Sequence, residues 1–328
     1  MKRLSWQTIK RKWIGNNVPG ILPQDAPDSA WDLLSYKEEP NQVITTITPQ
    51  SLRESMWRDC SYICSDEEAF TMYMSLELGK PLLVEGPPGS GKTEVAKVMA
   101  TILKTELIRL QCYEGLDEGK ALYEWNYQKQ ILDIQKGGKE NVFGADYLLP
   151  RPLLAAIQAK KPPVLLIDEI DKVEPEFEAF LMEILSDFQV SIPEFGTVKA
   201  KTHPPVILTS NAIRDLGDAL RRRCVYLYLD FPTMTREATI LMRKVVGMRP
   251  GLALQIARTM YLLREDLELL KQPSVSESLD LGQAAVNMKK PSLDPMFLNQ
   301  LNSLFLKTRE DQELFTKKGG GKWVCQNL

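Results

Sequence analysis

The feature that most constrains this chain is a segment that matches the pattern G-x-x-x-x-G-K-[ST] in full, Gly86-Pro87-Pro88-Gly89-Ser90-Gly91-Lys92-Thr93. It follows a short apolar run at 81–84 and precedes a stretch with helical spacing at 92–103. Glycines at a strand-to-helix turn let backbone N–H groups face one point, and the positive end of the helix faces the same point. The segment therefore predicts a phosphate-binding loop.

The residue types in and after this loop indicate a nucleoside triphosphate and a metal ion as ligands. Lys92 supplies a mobile positive charge for the β- and γ-phosphates, and the Thr93 hydroxyl is suited to help hold Mg²⁺. We therefore predict ATP and Mg²⁺ as cofactors. The residues expected to bind ATP are Gly86, Pro87, Pro88, Gly89, Ser90, Gly91, Lys92, Thr93 and Glu94.

A second apolar run, 164–167, ends in two acids, Asp168 and Glu169. A continuous apolar run is typical of a buried parallel strand, and ligands bind at the carboxyl ends of such strands. Asp168 is expected to face Mg²⁺, usually through its water shell. Glu169 is expected to orient and polarise the attacking water as a general base. Asp171 is expected to be solvated or to cap a helix.

Two further segments supply candidate catalytic residues. The apolar run 206–210 ends at Asn211, which either contacts the water or the γ-phosphate or simply starts a turn. Arg221, Arg222 and Arg223 are adjacent, and on a helix their side chains point about 100° apart, so they cannot all meet one ligand. We predict that Arg222 or Arg223 reaches the nucleotide of a neighbouring subunit. A solvated basic turn and a nucleic-acid patch are the alternatives.

The order of the apolar runs indicates the fold class. Short strands alternate with helices as far as Pro232, which predicts an α/β fold with a five-stranded parallel sheet and helices on both faces. A hairpin is expected at 190–199, and after Pro232 the pattern is helical. The predicted domains are an N-terminal extension at 1–50, the core at 51–232, a helical lid at 233–312 and a flexible tail at 313–328.

Charge and hydropathy argue against a membrane or nucleic acid as a partner. The formal net charge is −2, so the chain as a whole has no electrostatic attraction to nucleic acid or to an anionic membrane. The sequence contains no apolar run of the length that a transmembrane helix needs, and residues 1–15 lack the apolar region of a signal peptide. We therefore expect a cytoplasmic protein without a membrane partner, and the charge disfavours nucleic acid as a partner.

Taken together, these motifs resemble those of AAA+ ATPases, in the same order along the chain. The residues in these segments are most similar to those of the MoxR-like branch and, within it, of the CoxD-like proteins. The similarity runs from about residue 50 to about residue 312. Besides the phosphate loop, the segments that show it are 105–115, 121–127, 185–190 and 219–223.

The resemblance implies an α/β core, a helical lid and a hairpin that corresponds to 188–200. It also implies a homo-oligomeric ring, commonly a hexamer, that acts on a client protein or metalloenzyme together with a von Willebrand factor A domain protein. Clients in this group include a molybdenum hydroxylase for the CoxD-like branch and rubisco for a related branch. One departure is clear, because the region 276–281 lacks the arginine that many AAA+ lids use to sense nucleotide.

The sequence thus favours an ATPase that remodels, matures or activates another protein. Three other functions remain open at this point: a P-loop kinase that acts on a small molecule or nucleoside, a nucleotide-dependent switch or scaffold with little turnover, and a nucleic-acid motor. Glu169, the hairpin and the helical lid argue against the kinase, and Glu169 and Asn211 argue against the switch. The near-neutral charge argues against the third.

Overall fold

The computed structural model describes residues 47–136, 142–193 and 195–328, so the predicted extension at 1–50 lies almost entirely outside the described residues. The first described helix, α1 (Pro49–Cys60), begins at a capping box that Thr48 forms with Ser51. The predicted core boundary at residue 51 therefore falls inside a helix. The second helix, α2 (Asp66–Glu77), begins at a capping box formed by Ser65 and Glu68.

The α/β part continues from β1 to β9. Its elements are β1 (Leu82–Glu85), α3 (Lys92–Ile102), β2 (Leu107–Gln111), α4 (Glu118–Ala121), β3 (Tyr123–Trp125), α5 (Tyr127–Gln135), β4 (Leu148–Pro150), α6 (Pro152–Gln158), β5 (Val164–Asp168), α7 (Pro175–Asp187), β6 (Gln189–Ile192), β7 (Gly196–Lys199), β8 (Val206–Ser210), α8 (Asp218–Arg223) and β9 (Val225–Tyr228).

Five of these strands form one parallel sheet in the order β2-β5-β8-β1-β9, which confirms the predicted sheet. Strands β1, β5 and β8 are buried along their whole length, as expected for strands covered on both faces. Because all five strands run the same way, their carboxyl ends meet at one edge of the sheet. The register places Gln111 opposite Asp168 at that edge.

Helices cover both faces of the sheet. Leu83, Leu165 and Leu208 share one buried cluster with residues of α6 and α7. Helix α3 packs against β5 and β8, and α2 packs against β9. The predicted hairpin is confirmed as β6 paired antiparallel with β7, and a second two-stranded sheet joins β3 to β4. No helix among the described residues is both long and apolar enough to cross a bilayer.

The segment that follows β9 is helical. Its elements are α9 (Met234–Lys244), α10 (Pro250–Asp266), α11 (Val275–Asn287), α12 (Pro295–Gln300), α13 (Asn302–Phe305), α14 (Arg309–Lys318) and α15 (Gly320–Asn327). These helices have their own apolar cluster, which extends from Ala238 to Val324. We call residues 234–327 the lid.

The prediction of a flexible tail at 313–328 is wrong, because α14 and α15 occupy it and pack into the lid. Phe315 is 1% exposed and Val324 is fully buried. Glycines within this segment have packing roles. Gly319 ends α14 with a left-handed φ of 115°, and a Cβ on Gly321 would lie 2.4 Å from the Pro295 carbonyl oxygen.

A buried ion pair joins three lid helices. Arg264 on α10 donates two hydrogen bonds of 2.8 Å to the Glu237 carboxylate on α9, and its Nε donates to the Pro273 carbonyl just before α11. The side chains are 6% and 1% exposed. Removing one partner of such a pair leaves the other charge buried and uncompensated.

We therefore expect Arg264→Ala to lower the free energy of unfolding by about 3–5 kcal/mol, measured by denaturant titration. Arg258→Ala is the matched control, because Arg258 lies on the same helix and is exposed. We expect the control to change the free energy by less than about 0.5 kcal/mol. Equal losses in the two variants would show that the buried pair does not stabilise the lid.

Candidate functional site

The phosphate loop connects β1 to α3 and has the backbone conformation that its glycines permit. Gly89 and Gly91 have left-handed φ angles of 76° and 98°. A Cβ on Gly89 would lie 2.2 Å from Ser274 Oγ, so the loop meets the start of lid helix α11 at this point. The Ser90 N–H donates to the Pro87 carbonyl at 3.3 Å, and Pro88 is exposed at the tip of the loop.

Lys92, the first residue of α3, turns its ammonium group into the curve of the loop. Its Nζ donates to the carbonyl oxygens of Gly86 and Pro87, both at 2.8 Å. The residue is 6% exposed. Burial lowers the pKa of the ammonium below its ordinary value, although nearby Asp171, Asp168 and Glu169 oppose this shift. The structure therefore places the charge where the loop would surround a phosphate.

Asp168, at the end of β5, accepts hydrogen bonds from two hydroxyl groups. Thr93 Oγ1 donates to Asp168 Oδ1 at 3.1 Å, and Thr209 Oγ1 donates to the same oxygen at 2.5 Å. The carboxylate is 4% exposed. A hydroxyl and a carboxylate oxygen at this separation are the hard donors that Mg²⁺ prefers, so the pair Thr93 and Asp168 fits this ion.

Glu169 lies at the turn after β5 with left-handed backbone angles, φ 60° and ψ 49°. Its Oε2 accepts from Gln111 Nε2 and from Lys172 Nζ, both at 2.8 Å. Asn211 Nδ2 approaches Oε1 at 3.5 Å. The structure thus brings Glu169 together with Asn211 at the end of β8. A glutamate side chain that is one third exposed beside a phosphate loop can accept a proton from water.

The expectation that Asp171 is solvated or caps a helix is wrong, because this residue is 3% exposed. Its Oδ2 accepts the backbone N–H groups of Asn211 at 3.0 Å and Ile213 at 3.1 Å. The turn after β8 is therefore fastened to the turn after β5. This contact sets the position of Asn211, which the sequence alone left open between a catalytic residue and a simple turn.

Comparison with known families agrees with this geometry. Residues 82–230, which span β1 to the end of β9, match the ATPase family associated with various cellular activities (AAA). The chain contains an AAA-family ATPase domain. This stretch includes every candidate catalytic and metal-binding residue named above.

Two relatives are similar to part of the chain. An uncharacterized protein of Staphylococcus haemolyticus is 31% identical over 178 residues, which are 52% of this chain and 63% of that protein. The uncharacterized protein YojN of Bacillus subtilis is 28% identical over 223 residues, which are 66% of this chain and 65% of that protein. The chain therefore spans less than two thirds of the length of these relatives.

Among solved structures, the Thermotoga maritima RuvB Holliday junction branch migration motor is similar at a TM-score of 0.43 with 18% sequence identity. The likeness covers 76% of this chain and 70% of that one.

The three adjacent arginines at the end of α8, Arg221, Arg222 and Arg223, differ in their surroundings. Arg221 Nη2 donates to Glu85 Oε1 at 3.0 Å, beside Tyr226, which donates to Glu85 Oε2 at 2.8 Å. Arg223 contacts the Ala219 carbonyl of its own helix at 3.4 Å. Arg222 is exposed, and no hydrogen-bond or ion-pair partner for it occurs among the described residues. Among the described residues, none of the three contacts a candidate site residue of its own chain directly. Arg221 contacts Glu85, which directly precedes the phosphate loop.

A cavity of about 250 Å³ lies between the AAA domain and the lid, next to Gly89, Ser90 and Gly91. Its apolar walls were not identified from sequence, since they come from distant segments: Tyr62, Ile63, Ile240, Val275 and Leu279. An apolar cavity that opens onto a phosphate loop can receive a nucleobase.

Two ion pairs at this cavity join the domain to the lid. Lys244 of α9 donates to Glu94 Oε1 at 2.9 Å, and Arg236 of α9 donates to Glu68 Oε1 at 2.7 Å. Glu94, which was expected to bind ATP, therefore lies at the cavity, and its carboxylate contacts Lys244 of the lid. Ser276 of α11 also lines the cavity, in the region that lacks the sensing arginine.

Sequence reasoning missed Arg109, Gln111 and Lys172, which contact the two key acids. Arg109 donates to Asp168, while Gln111 and Lys172 donate to Glu169. One signal was present for the first two: polar side chains at alternate positions of an otherwise apolar strand that ends near the acids. That signal points to the two acids only once it is known that β2 pairs with β5.

Proposed function

We propose that this chain is a Mg²⁺-dependent ATPase that works as a homo-oligomeric ring to remodel, mature or activate a client protein. The observation that carries the proposal is the grouping of Lys92, Thr93, Asp168, Glu169 and Asn211 around the phosphate loop at one edge of the sheet. A charge for the phosphates, oxygen donors for a metal and a base for water are then present together. The AAA family match over 82–230 supports the same activity.

The residues act as follows in this proposal. The Lys92 ammonium leaves the loop carbonyls and binds the β- and γ-phosphates. The adenine ring enters the cavity beside Ile63 and Ile240. Thr93 and Asp168 hold Mg²⁺, which when bound neutralises charge on the phosphates. Glu169 orients water for attack and accepts its proton, and Asn211 positions Glu169 or the water. The lid follows the nucleotide through the Lys244–Glu94 and Arg236–Glu68 contacts.

We place Arg222 at the nucleotide of a neighbouring subunit. Arg221 is held by Glu85, and Arg223 contacts Ala219 of its own helix and Met182 of α7, whereas Arg222 has no partner among the described residues. A guanidinium that arrives from a neighbour stabilises charge that develops during phosphoryl transfer, and it makes the site complete only in the assembly.

The client is proposed from the resemblance to the MoxR-like branch, and within it to the CoxD-like proteins. In that branch the client is a metalloenzyme, the partner carries a von Willebrand factor A domain and the ring is a hexamer. Exposed apolar side chains on α5 support a protein-binding role, because Tyr127, Ile131 and Ile134 are 55–61% exposed. The cytoplasmic location stays a prediction.

The proposal is tested by measuring ATPase activity per subunit against protein concentration, with molecular mass from light scattering in the presence and absence of ATP. We expect specific activity to rise with the fraction of chain in the oligomer, because each site needs a neighbour. A monomer with turnover independent of concentration would contradict the ring. Phosphate transfer to a small acceptor in place of water would indicate a kinase instead.

A further inference from the structure

Arg109 on β2 reaches across to Asp168 on the neighbouring strand β5. Its Nε donates to Asp168 Oδ2 at 3.0 Å, and its Nη2 donates to the same oxygen at 2.5 Å. The Asp168 side chain is 4% exposed, whereas the Arg109 side chain is 52% exposed. The carboxylate is thus buried in the interior, while its counter-ion approaches from the solvent side.

Asp168 needs a positive partner because its surroundings are acidic. Glu169 follows it directly, and Asp171 is buried in the next turn. The ammonium of Lys92 lies near Asp168 and attracts it electrostatically, but it forms its hydrogen bonds with loop carbonyls and not with the carboxylate. A buried carboxylate without a cation is strongly unfavourable. Arg109 therefore supplies in this arrangement the charge that Mg²⁺ would supply to the same carboxylate.

The same guanidinium is linked to Glu169 through Gln111. Arg109 Nη2 donates to Gln111 Oε1, and Gln111 Nε2 donates to Glu169 Oε2 at 2.8 Å. This orientation of the amide is determined by its neighbours, because the reversed amide would put N–H against guanidinium and oxygen against carboxylate. A continuous chain of hydrogen bonds therefore runs from the metal-binding acid to the general base.

We propose that Arg109 is a built-in counter-ion of Asp168 that competes with Mg²⁺ for this carboxylate and, through Gln111, restrains Glu169 until the magnesium nucleotide binds. The inference rests on the function proposed above. Departure of Arg109 removes the group that orients the Gln111 amide, so Glu169 loses that restraint in a site that already holds nucleotide, while Lys172 still donates to it. Arg109 is a positioning residue in this scheme.

The test is the Mg²⁺ concentration that gives half-maximal binding of the fluorescent probe N-methylanthraniloyl-ADP to the full chain. Arg109→Gln is expected to lower this midpoint about five- to twenty-fold, because a competing cation has been removed. Arg109→Lys keeps the charge, and we expect its midpoint to stay within about twofold of the unmodified chain. Binding is measured by fluorescence, so hydrolysis is not required.

Lys172→Gln is the matched control. Lys172 also donates to Glu169, at 2.8 Å, but it has no contact with Asp168 among the described residues, so the change removes the same charge elsewhere in the site. Its midpoint is expected to shift by less than about twofold. An equal fall in Arg109→Gln and Lys172→Gln would overturn the proposal in favour of a general charge effect. A midpoint that is unchanged or raised in Arg109→Gln would also overturn it.

Two further variants keep the test decisive. Gln111→Leu removes one anchor of Arg109, so its midpoint is expected to fall in the same direction by a smaller factor, and an unchanged midpoint would refute the link to Glu169. If Arg109→Gln fails to fold by circular dichroism, Arg109→Met is measured with the same expected outcomes. A chain that binds the probe but does not hydrolyse ATP would refute the ATPase proposal, while the midpoints still decide the role of Arg109.

Discussion

Replacing Glu169 by glutamine is expected to lower the rate of ATP hydrolysis by about 10²- to 10⁴-fold while ATP binding is retained, because the change removes a general base. Glutamine keeps the length of the side chain. It also tolerates the left-handed backbone at this position about as well as glutamate, since neither residue is β-branched. The hydroxyl contacts of Asp168 and the loop contacts of Lys92 are unaffected, so the affinity for ATP is expected to stay within about threefold.

The measurement is single-turnover hydrolysis of ATP together with equilibrium binding of a fluorescent ATP analogue. Glu176→Gln is the matched control, because Glu176 is an exposed acid in the first turn of α7 and the same charge is lost away from the site. We expect the control to hydrolyse ATP normally. If Glu169→Gln keeps full turnover, another group activates the water and the proposed mechanism is wrong. If no chain turns over, the protein is a nucleotide-dependent switch.

Replacing Arg222 by alanine is expected to lower turnover by about 10³-fold, the lower end of the range for an arginine finger, with little change in ATP affinity. The affinity is expected to stay the same because Arg222 is exposed and is unpartnered among the described residues, so its loss disturbs nothing in its own subunit. Arg223→Ala is the matched control, because Arg223 is the adjacent exposed arginine and contacts its own helix. Its turnover is expected to stay within about threefold.

A mixing experiment tests whether the site is shared. In a ring assembled from Arg222→Ala and Glu169→Gln chains, a subunit that keeps Glu169 can receive Arg222 from a neighbour of the other kind. Random assembly of an equal mixture therefore restores about a quarter of the sites in a head-to-tail ring. Two inactive preparations should thus gain activity when they are mixed and reassembled. Mixed rings that stay inactive, with co-assembly shown by affinity capture, would contradict a shared site.

Some features of the protein follow from local sequence. The phosphate loop is a contiguous motif whose glycines and lysine act within a few residues of one another, so its place between β1 and α3 was predictable. The apolar runs that became β5 and β8 are continuous because both faces of the sheet are covered, and continuity is visible in the sequence. The acids at 168 and 169 were identified for the same reason.

Other features depended on which strands and helices become neighbours. Gln111 meets Glu169 across 58 residues, and Arg221 meets Glu85 across 136 residues, so neither contact has a local signal. Asp171 looked solvated because acids usually are, but two backbone N–H groups from the turn after β8 satisfy it in the interior. The segment 313–328 was expected to be a flexible tail, but it packs closely, and the approach of Gly321 to Pro295 has no local signal.

The sequence by itself thus determined the fold class and the chemical groups of the candidate site, because these are written in contiguous motifs and in the period of apolar residues. The tertiary structure alone decided how those groups are held: which arginine has no partner among the described residues, which amide contacts Glu169 and which carboxylate already has a counter-ion. The physical reason is that hydrogen bonds and ion pairs between side chains depend on strand order and register, and a residue's own sequence neighbours do not specify these.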